Sequence, residues 1–453
     1  MRSFDVVVIG AGPAGEVAAG RLAEKGLSVA IVEDRLVGGE CSYWACMPSK
    51  ALLRPYEALA EVKRIPGAAE AVTGELDAAA VLARRDEIIH DLDDSAQMPW
   101  LEDRGIELIR GRAVITGERR VTVGDEELEA KRAVFLATGS LPLMPPIEGL
   151  DAIDGAWTNR DATVTKTVPE SVVVMGGGVV GVEMSQAFQT LGSQVTLIEG
   201  ARRLLPNEEE FACIELTEAL SKLGVNIRTG RKATKVEQAE DGMVTVHMDD
   251  GTTATGEKLL VALGRKPQTE GVGLEQLGLE PGKPVHVDAH MRVAGHEWLY
   301  ALGDVNGRAL FTHMGKYQAR VAADHVLGHD HALSHGADGP LSPRVVFTEP
   351  QVAAVGHTTE TAEQAGLIVD VVTTSTSGNA GGSFYGRDQP GTVQWLVDRE
   401  RKIIVGCTMT GAEIADFLHA ATIAVVGEVP LATLRHAIPS FPTRSEIWLR
   451  LDA

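Results

Sequence analysis

VVVIGAGPAGEVAAGRLAEKGLSVAIVE, residues 6–33, returns at residues 172–199 as VVVMGGGVVGVEMSQAFQTLGSQVTLIE. The offset, 172 − 6 = 166, aligns Gly10 with Gly176, Gly12 with Gly178, Gly15 with Gly181, Gly26 with Gly192, Val29 with Val195 and Glu33 with Glu199. Each copy reads as an apolar strand, a glycine turn, a helix and a second apolar strand ending on an acid, which is a βαβ unit. The first glycine makes the tight turn, the second lets a ligand approach the backbone, and the third lets helix pack on strand. Pro13 and Ala14 lie inside the first turn and Val180 inside the second, where the helix start offers free N–H groups to phosphate. The closing acid accepts hydrogen bonds from ribose hydroxyls. One such turn is weak evidence. Two in register, each with its acid at the right distance, predict two nucleotide sites.

The first copy leads into GGECSYWACMPSK, Gly38 to Lys50, which sets Cys41 and Cys46 five residues apart. On an ideal helix five residues rise about 7.5 Å, beyond the roughly 7 Å Cα separation that a disulfide spans. A Cys41–Cys46 bridge therefore requires a distorted turn. Strained or exposed bridges are the ones that cycle. A nucleotide site that runs straight into a cysteine pair predicts electrons passing from a cofactor to sulfur.

A chain of 453 residues is too long for one core and predicts two to four domains. Its formal charge of −21 argues against nucleic acid and anionic membrane as partners. No apolar run reaches the ~18 residues of a membrane span, and the chain enters a strand by Asp5 with no basic, apolar leader, so a cytoplasmic location is expected. Cys213 lies in an amphipathic helical stretch and Cys407 in a predicted strand, and both read as small buried hydrophobes.

The combination GGxCxxxxCxPSK after a glycine turn of this kind resembles the pyridine-nucleotide disulfide oxidoreductases, a family that includes dihydrolipoamide dehydrogenase, glutathione reductase and mercuric reductase. The resemblance implies an α/β fold with two doubly wound dinucleotide-binding domains, for FAD and NAD(P), plus an α+β C-terminal dimerisation domain that makes a homodimer. It divides the chain into a first FAD segment over 1–149, an NAD(P) domain over 150–266, a second FAD segment over 267–335 and an interface domain over 343–453. The polar stretch Gly328 to Pro343, with His329, His331 and His335, reads as a solvated linker rather than a metal site.

The resemblance further assigns FAD to Gly10, Gly12, Pro13, Ala14, Gly15 and Glu33, with Asp34, Gly39, Lys50 and Ala113 beside them. The Thr138-Gly139 turn, Asp304 toward the ribityl chain, and Phe311 and Thr312 complete that set. The nicotinamide nucleotide falls to Gly176, Gly178, Val180, Gly181, Glu199 and Gly264. A carboxylate at Glu199 repels a 2′-phosphate and favours NADH, while Arg202 and Arg203 nearby soften that preference, so NADPH stays open. By the same resemblance Cys46 faces the flavin, Cys41 is the outer, exchanging thiol, and Lys50 pairs with Glu183 beside flavin N5.

Three features depart from the family pattern. Members such as dihydrolipoamide dehydrogenase carry a His-Pro-Thr-x-Ser-Glu run whose histidine is the base toward the outer thiol. This chain has Phe441-Pro442-Thr443-Arg444-Ser445-Glu446. Phenylalanine carries no proton, and general-base catalysis contributes typically 10²–10⁴-fold. Glu446, which would orient that histidine, has lost its partner, and His436 lies five residues upstream. Tyr43 and Trp44 place two large aromatics between the cysteines, where they either restrict access or pack against neighbours. The C-terminal tail lacks the extra cysteine pair of mercuric and high-molecular-weight thioredoxin reductases, which argues against both activities. Three readings remain: electron transfer through Cys41–Cys46 to a small-molecule disulfide, direct transfer from flavin to a quinone, dye or second nucleotide, and a redox-sensing flavoprotein.

Overall fold

The computed structural model describes every residue except 335–337, 387, 388, 390 and 453, so His335 lies outside the described residues. Two compact units are woven from alternating segments. The first takes Met1–Pro48, Asp86–Leu143 and Arg265–Gly339, and the second Ser49–Arg85, Met144–Gly264 and Pro340–Ala453.

The first unit is built on an eight-stranded sheet. Its centre is β1 (Arg2–Ile9), paired in parallel with β2 (Val29–Glu33) on one side and with the strand Glu126–Leu136 on the other. Helix α1 (Pro13–Ala23) makes the crossover. Beyond β2 lies Glu107–Arg110, and beyond Glu126–Leu136 lies His296–Ala301, both parallel to their neighbours. The apolar runs sit on central strands with both faces covered, as parallel sheets require; Val6, Val7 and Val8 are fully buried. Downstream of β2 come two helices, α2 (Gly39–Tyr43) and α3 (Cys46–Arg64).

In the second unit the pattern repeats. Strand β3 (Ser171–Met175) is followed by α4 (Val179–Thr190) and β4 (Gln194–Glu199). The parallel sheet runs Asn226–Thr229, β4, β3, Lys258–Val261. Phe188, Leu197 and Leu216 are among the side chains that fill its core. The same unit holds a three-stranded antiparallel sheet over Ala233–Gly256 and, at the C-terminal end, a five-stranded antiparallel sheet. Trp395 and Met409 of that sheet pack with Ile414 and Leu418 of the helix Ile414–Val426.

In both parallel sheets the chain order reverses beside the first strand, with the second strand on one side and a much later one on the other. Ligands of such sheets bind at the carboxyl ends of the strands flanking this point. Those ends are Ile9 and Leu136 in the first unit, and Met175 and Val261 in the second. The last element that matters for the site is α5 (Thr312–Val326) in the first unit, which packs on α1. Among the described residues no helix is long and apolar enough to cross a membrane.

Candidate active site

The two glycine turns agree bond for bond. Gly10 N donates to Val32 O and Gly176 N to Ile198 O, each at 2.8 Å. Gly10 (φ +101°) and Gly176 (φ +109°) adopt a left-handed conformation, and a Cβ on either would run into a carbonyl of the neighbouring strand, that of Ala137 or Ala262. A Cβ on Gly15 or Gly181 would strike the carbonyl oxygen of Gly10 or Gly176. The middle positions differ, because Gly178 has no atom within 4 Å of an added Cβ and Gly12 meets only the Gly39 Cα at 4.0 Å. Gly12 and Gly178 are also the N-caps of α1 and α4, and neither supplies a capping side chain. Each turn therefore presents an open backbone cradle with helix-start N–H donors, the donor set that a pyrophosphate fits.

The closing acids are fixed just as closely. Glu33 accepts from Ala11 N at 2.8 Å and Arg35 N at 2.9 Å. Glu199 accepts from the equivalent donors, Gly177 N at 2.5 Å and Ala201 N at 2.6 Å. Burial raises the Glu33 carboxyl above its ordinary range, against the pull of those two N–H donors. Asp34 is exposed beside it. Around the first turn, Gly39 (φ +61°) lies so close to Gly12 that an added Cβ would stand 2.7 Å from its Cα. Thr138 donates to Gln268 O at 2.6 Å, Gly139 (φ +73°) is open to an added Cβ, and Ala113 is buried on a strand paired with Arg120–Val123. In the second unit Val180 is partly buried against the core and Gly264 is exposed with φ +119°.

The helix breaks between the cysteines. Trp44, the C-cap of α2, leaves the helical region at φ −132°, ψ −3°, and α3 starts afresh at Cys46. Neither cysteine is in a disulfide, and both are partly exposed. Cys41 hydrogen-bonds to Cys46, whose Sγ lies 3.3 Å from Thr312 Oγ1 at the first residue of α5. The bond to Cys46 and then burial push the Cys41 thiol up, while Thr312 and Lys316 pull it back. Between the cysteines, Tyr43 is buried and meets Trp44 edge to face at 5.8 Å.

The scan against family models matches residues 4–325 to a model described as pyridine nucleotide-disulphide oxidoreductase, and residues 342–451 to the dimerisation domain of the same group. The chain belongs to this family. Its members are FAD-dependent oxidoreductases that use NAD(P)H. The chain is 34% identical to a dihydrolipoyl dehydrogenase of Thermus scotoductus, over 98% of this chain and 96% of that one. It is 30% identical to a mercuric reductase of Lysinibacillus sphaericus, over 98% and 81%. Among solved structures it resembles the Cu(II) complex of the HOCl-induced flavoprotein disulfide reductase RclA from Escherichia coli. The TM-score is 0.87 at 25% identity, covering 100% of this chain and 99% of that one.

Other residues that the family pattern singles out are distributed as follows. Asp304 accepts from Ser140 Oγ at 2.6 Å, and Arg265 Nε donates to the same hydroxyl at 2.7 Å. Burial raises the Asp304 carboxyl, with Ser140 and Arg265 acting against it. Phe311 stacks on His313 at 5.4 Å. In the second unit Lys50 Nζ sits 2.8 Å from Glu183 Oε2 and 4.6 Å over the Phe347 ring, while Phe347 N donates to Glu183 Oε1 at 2.9 Å. Phe441 is 76% exposed. Glu446 leaves Oε2 buried without a hydrogen-bond partner, and His436 is exposed. Arg444 is buried between the rings of Tyr385 and Phe417, each 4.8 Å away. Among the described residues no group of three His, Cys, Asp or Glu could hold a metal ion.

Sequence reasoning missed the Arg265–Ser140–Asp304 chain. Ser140 lies more than a hundred positions before both Arg265 and Asp304, and spacing carries no signal for such a contact.

Proposed function

We propose that this enzyme passes electrons from NADH, through FAD, to the Cys41–Cys46 pair and on to a small-molecule disulfide. The supporting observation is the interrupted helix, which brings the two thiols within hydrogen-bonding distance beside Thr312. In this reading the segments 1–149 and 267–335 hold FAD, 150–266 hold the nicotinamide nucleotide, and 343–453 form the homodimer interface. Bound FAD accepts hydride and delivers two electrons. The chain's own residues hold and orient. Gly12, Gly15 and the start of α1 cradle the pyrophosphate, Glu33 takes the ribose, and Asp304, braced by Ser140, takes the ribityl hydroxyls. Gly178, Gly181 and Glu199 do the same for the nicotinamide nucleotide. Cys46 is the inner thiol and Cys41 the exchanging one, and Lys50 held by Glu183 serves as the family's flavin-tuning ion pair.

A second reading rests on Phe441. Transfer from flavin to a quinone or dye needs no base at the outer thiol, and an exposed phenylalanine supplies none. Comparing wild type with Cys41→Ser on a panel of disulfides, quinones and Cu(II) separates the two; Cu(II) is included because RclA was solved in complex with it. Disulfide turnover should fall at least about 100-fold in Cys41→Ser, as expected when a nucleophile is removed, while quinone turnover should persist. Disulfide activity that survives in Cys41→Ser contradicts the proposal.

A further inference from the structure

The thiol pair is held from two sides by contacts that lead back to one segment, Gly303 to Thr312. On one side, Cys46 Sγ lies 3.3 Å from Thr312 Oγ1, at the first residue of α5. The turn Gly303–Asn306 is fastened to the same helix, because Gln318 Oε1 accepts from Gly303 N and from Asn306 Nδ2, each at 2.8 Å. That turn carries Asp304. On the other side, Asp304 accepts from the Ser140 hydroxyl, which accepts in turn from Arg265 Nε. Arg265 Nη2 donates to the Ser140 carbonyl at 2.9 Å and lies 3.4 Å from Glu40 Oε1. Glu40 immediately precedes Cys41. Cys41 hydrogen-bonds to Cys46, and the ring of contacts is complete.

Each link has a physical reason. Ser140–Pro142 and Arg265–Pro267 pair as an antiparallel ribbon, which sets Arg265 against Ser140. A guanidinium presents its N–H groups in a planar fork, so one side chain can hold two partners. A hydroxyl that accepts from Nε keeps its own proton to donate to Asp304. Helix α2 is five residues long and ends at Trp44, so its own hydrogen bonds fix it weakly. Its start is held by Gly38 N, which donates to Ala11 O at 2.8 Å. Glu40 adds a side-chain anchor one residue from the thiol. The Glu40 and Arg265 side chains are 21% and 19% exposed, and a part-buried pair is screened less than a surface one.

We propose that Arg265 is a positioning residue for the thiol pair: by holding Glu40 it keeps Cys41 at Cys46, and through Ser140 it joins that hold to the Asp304 anchor of the flavin site. The inference rests on the proposed electron path through Cys41–Cys46. A hydrogen bond between the thiols tolerates some play, whereas a disulfide demands set positions of sulfur and Cβ. Loosening α2 lowers the effective concentration of Cys41 at Cys46. It therefore costs the disulfide more than the dithiol.

The test is a redox titration of holoprotein in mixtures of reduced and oxidised dithiothreitol. Two electrons and two protons pass from dithiothreitol, which closes to its cyclic disulfide, to Cys41–Cys46, which opens to two thiols. Each mixture is quenched with acid, denatured and labelled with maleimide, and the label on Cys41 and Cys46 is read by peptide mass spectrometry. Glu40→Gln removes the charge that Arg265 holds and leaves the Ser140 and Asp304 bonds in place. It should keep FAD at wild-type stoichiometry while its disulfide becomes about three- to tenfold easier to reduce, tenfold being about 30 mV for two electrons. Arg265→Gln should shift the titration at least as far, and adding Glu40→Gln to it should change nothing further, because the two residues act through one contact. If Arg265→Gln fails to fold, the Glu40→Gln shift decides alone. A Glu40→Gln titration that overlays wild type overturns the proposal, as do shifts that add in the double variant or loss of FAD from Glu40→Gln. Wild-type thiols that stay labelled in the most oxidised mixture would instead strike the electron path itself.

Discussion

Under the proposed function Glu199 sets the nucleotide preference, and its geometry leaves it little freedom. Both carboxylate oxygens are held by backbone N–H groups, those of Gly177 and Ala201. A carboxylate held twice cannot swing away to admit a 2′-phosphate. Arg203, which could have offset its charge, spends its Nη2 on the carbonyls of Pro206 and Glu208 at 3.2 and 3.3 Å. Arg202 is exposed. NADH should therefore exceed NADPH in kcat/KM by about tenfold or more, since 1.4 kcal/mol of like-charge cost is already a factor of ten. Steady-state kinetics with the two nucleotides checks this. Equal efficiencies would mean that Arg202 compensates for Glu199.

At the scale of elements, the two βαβ units are the same device used twice, and each should fail separately. In Gly181→Ala the added methyl meets the Gly176 carbonyl oxygen. The turn at the start of α4 must shift, at a cost of typically 1–3 kcal/mol for an overpacked site. The variant should bind FAD at wild-type stoichiometry while its KM for NADH rises at least about tenfold. Gly15→Ala should show the converse, with FAD lost on purification. Flavin absorbance per chain and the KM for NADH measure the two effects. Loss of FAD from Gly181→Ala would show that the units are not independent.

The same elements show what the sequence could and could not convey. The 166-residue offset was legible because a glycine turn must place small residues at fixed distances from an acid, and the structure keeps even the hydrogen bonds in register, Ala11 to Glu33 and Gly177 to Glu199. That a bridge between the cysteines needs a distorted turn was legible because five helical residues set them too far apart; that the helix breaks at Trp44 was not. Buried Cys213 and Cys407 followed from amphipathic and apolar surroundings. The rest depends on long-range pairing. The Lys50–Glu183 ion pair was reached only through the family resemblance. Arg265 on Ser140, and Cys46 on Thr312, join segments that no local pattern connects.

For the whole molecule, the C-terminal domain matches the family's dimerisation model over residues 342–451. In the single chain Ile438 and Phe441 are 74% and 76% exposed, and Phe384 is 66% exposed. Large apolar side chains on a family dimerisation domain fit burial in a homodimer. The central claim is that electrons from NADH reach sulfur at all. The direct measurement is a thiol count by maleimide labelling and peptide mass spectrometry, on air-oxidised holoprotein before and after anaerobic addition of NADH. The account predicts that Cys41 and Cys46 are unlabelled before NADH and labelled after it, with Cys213 and Cys407 unchanged. Cys41 and Cys46 that remain unlabelled after NADH has bleached the flavin would contradict it.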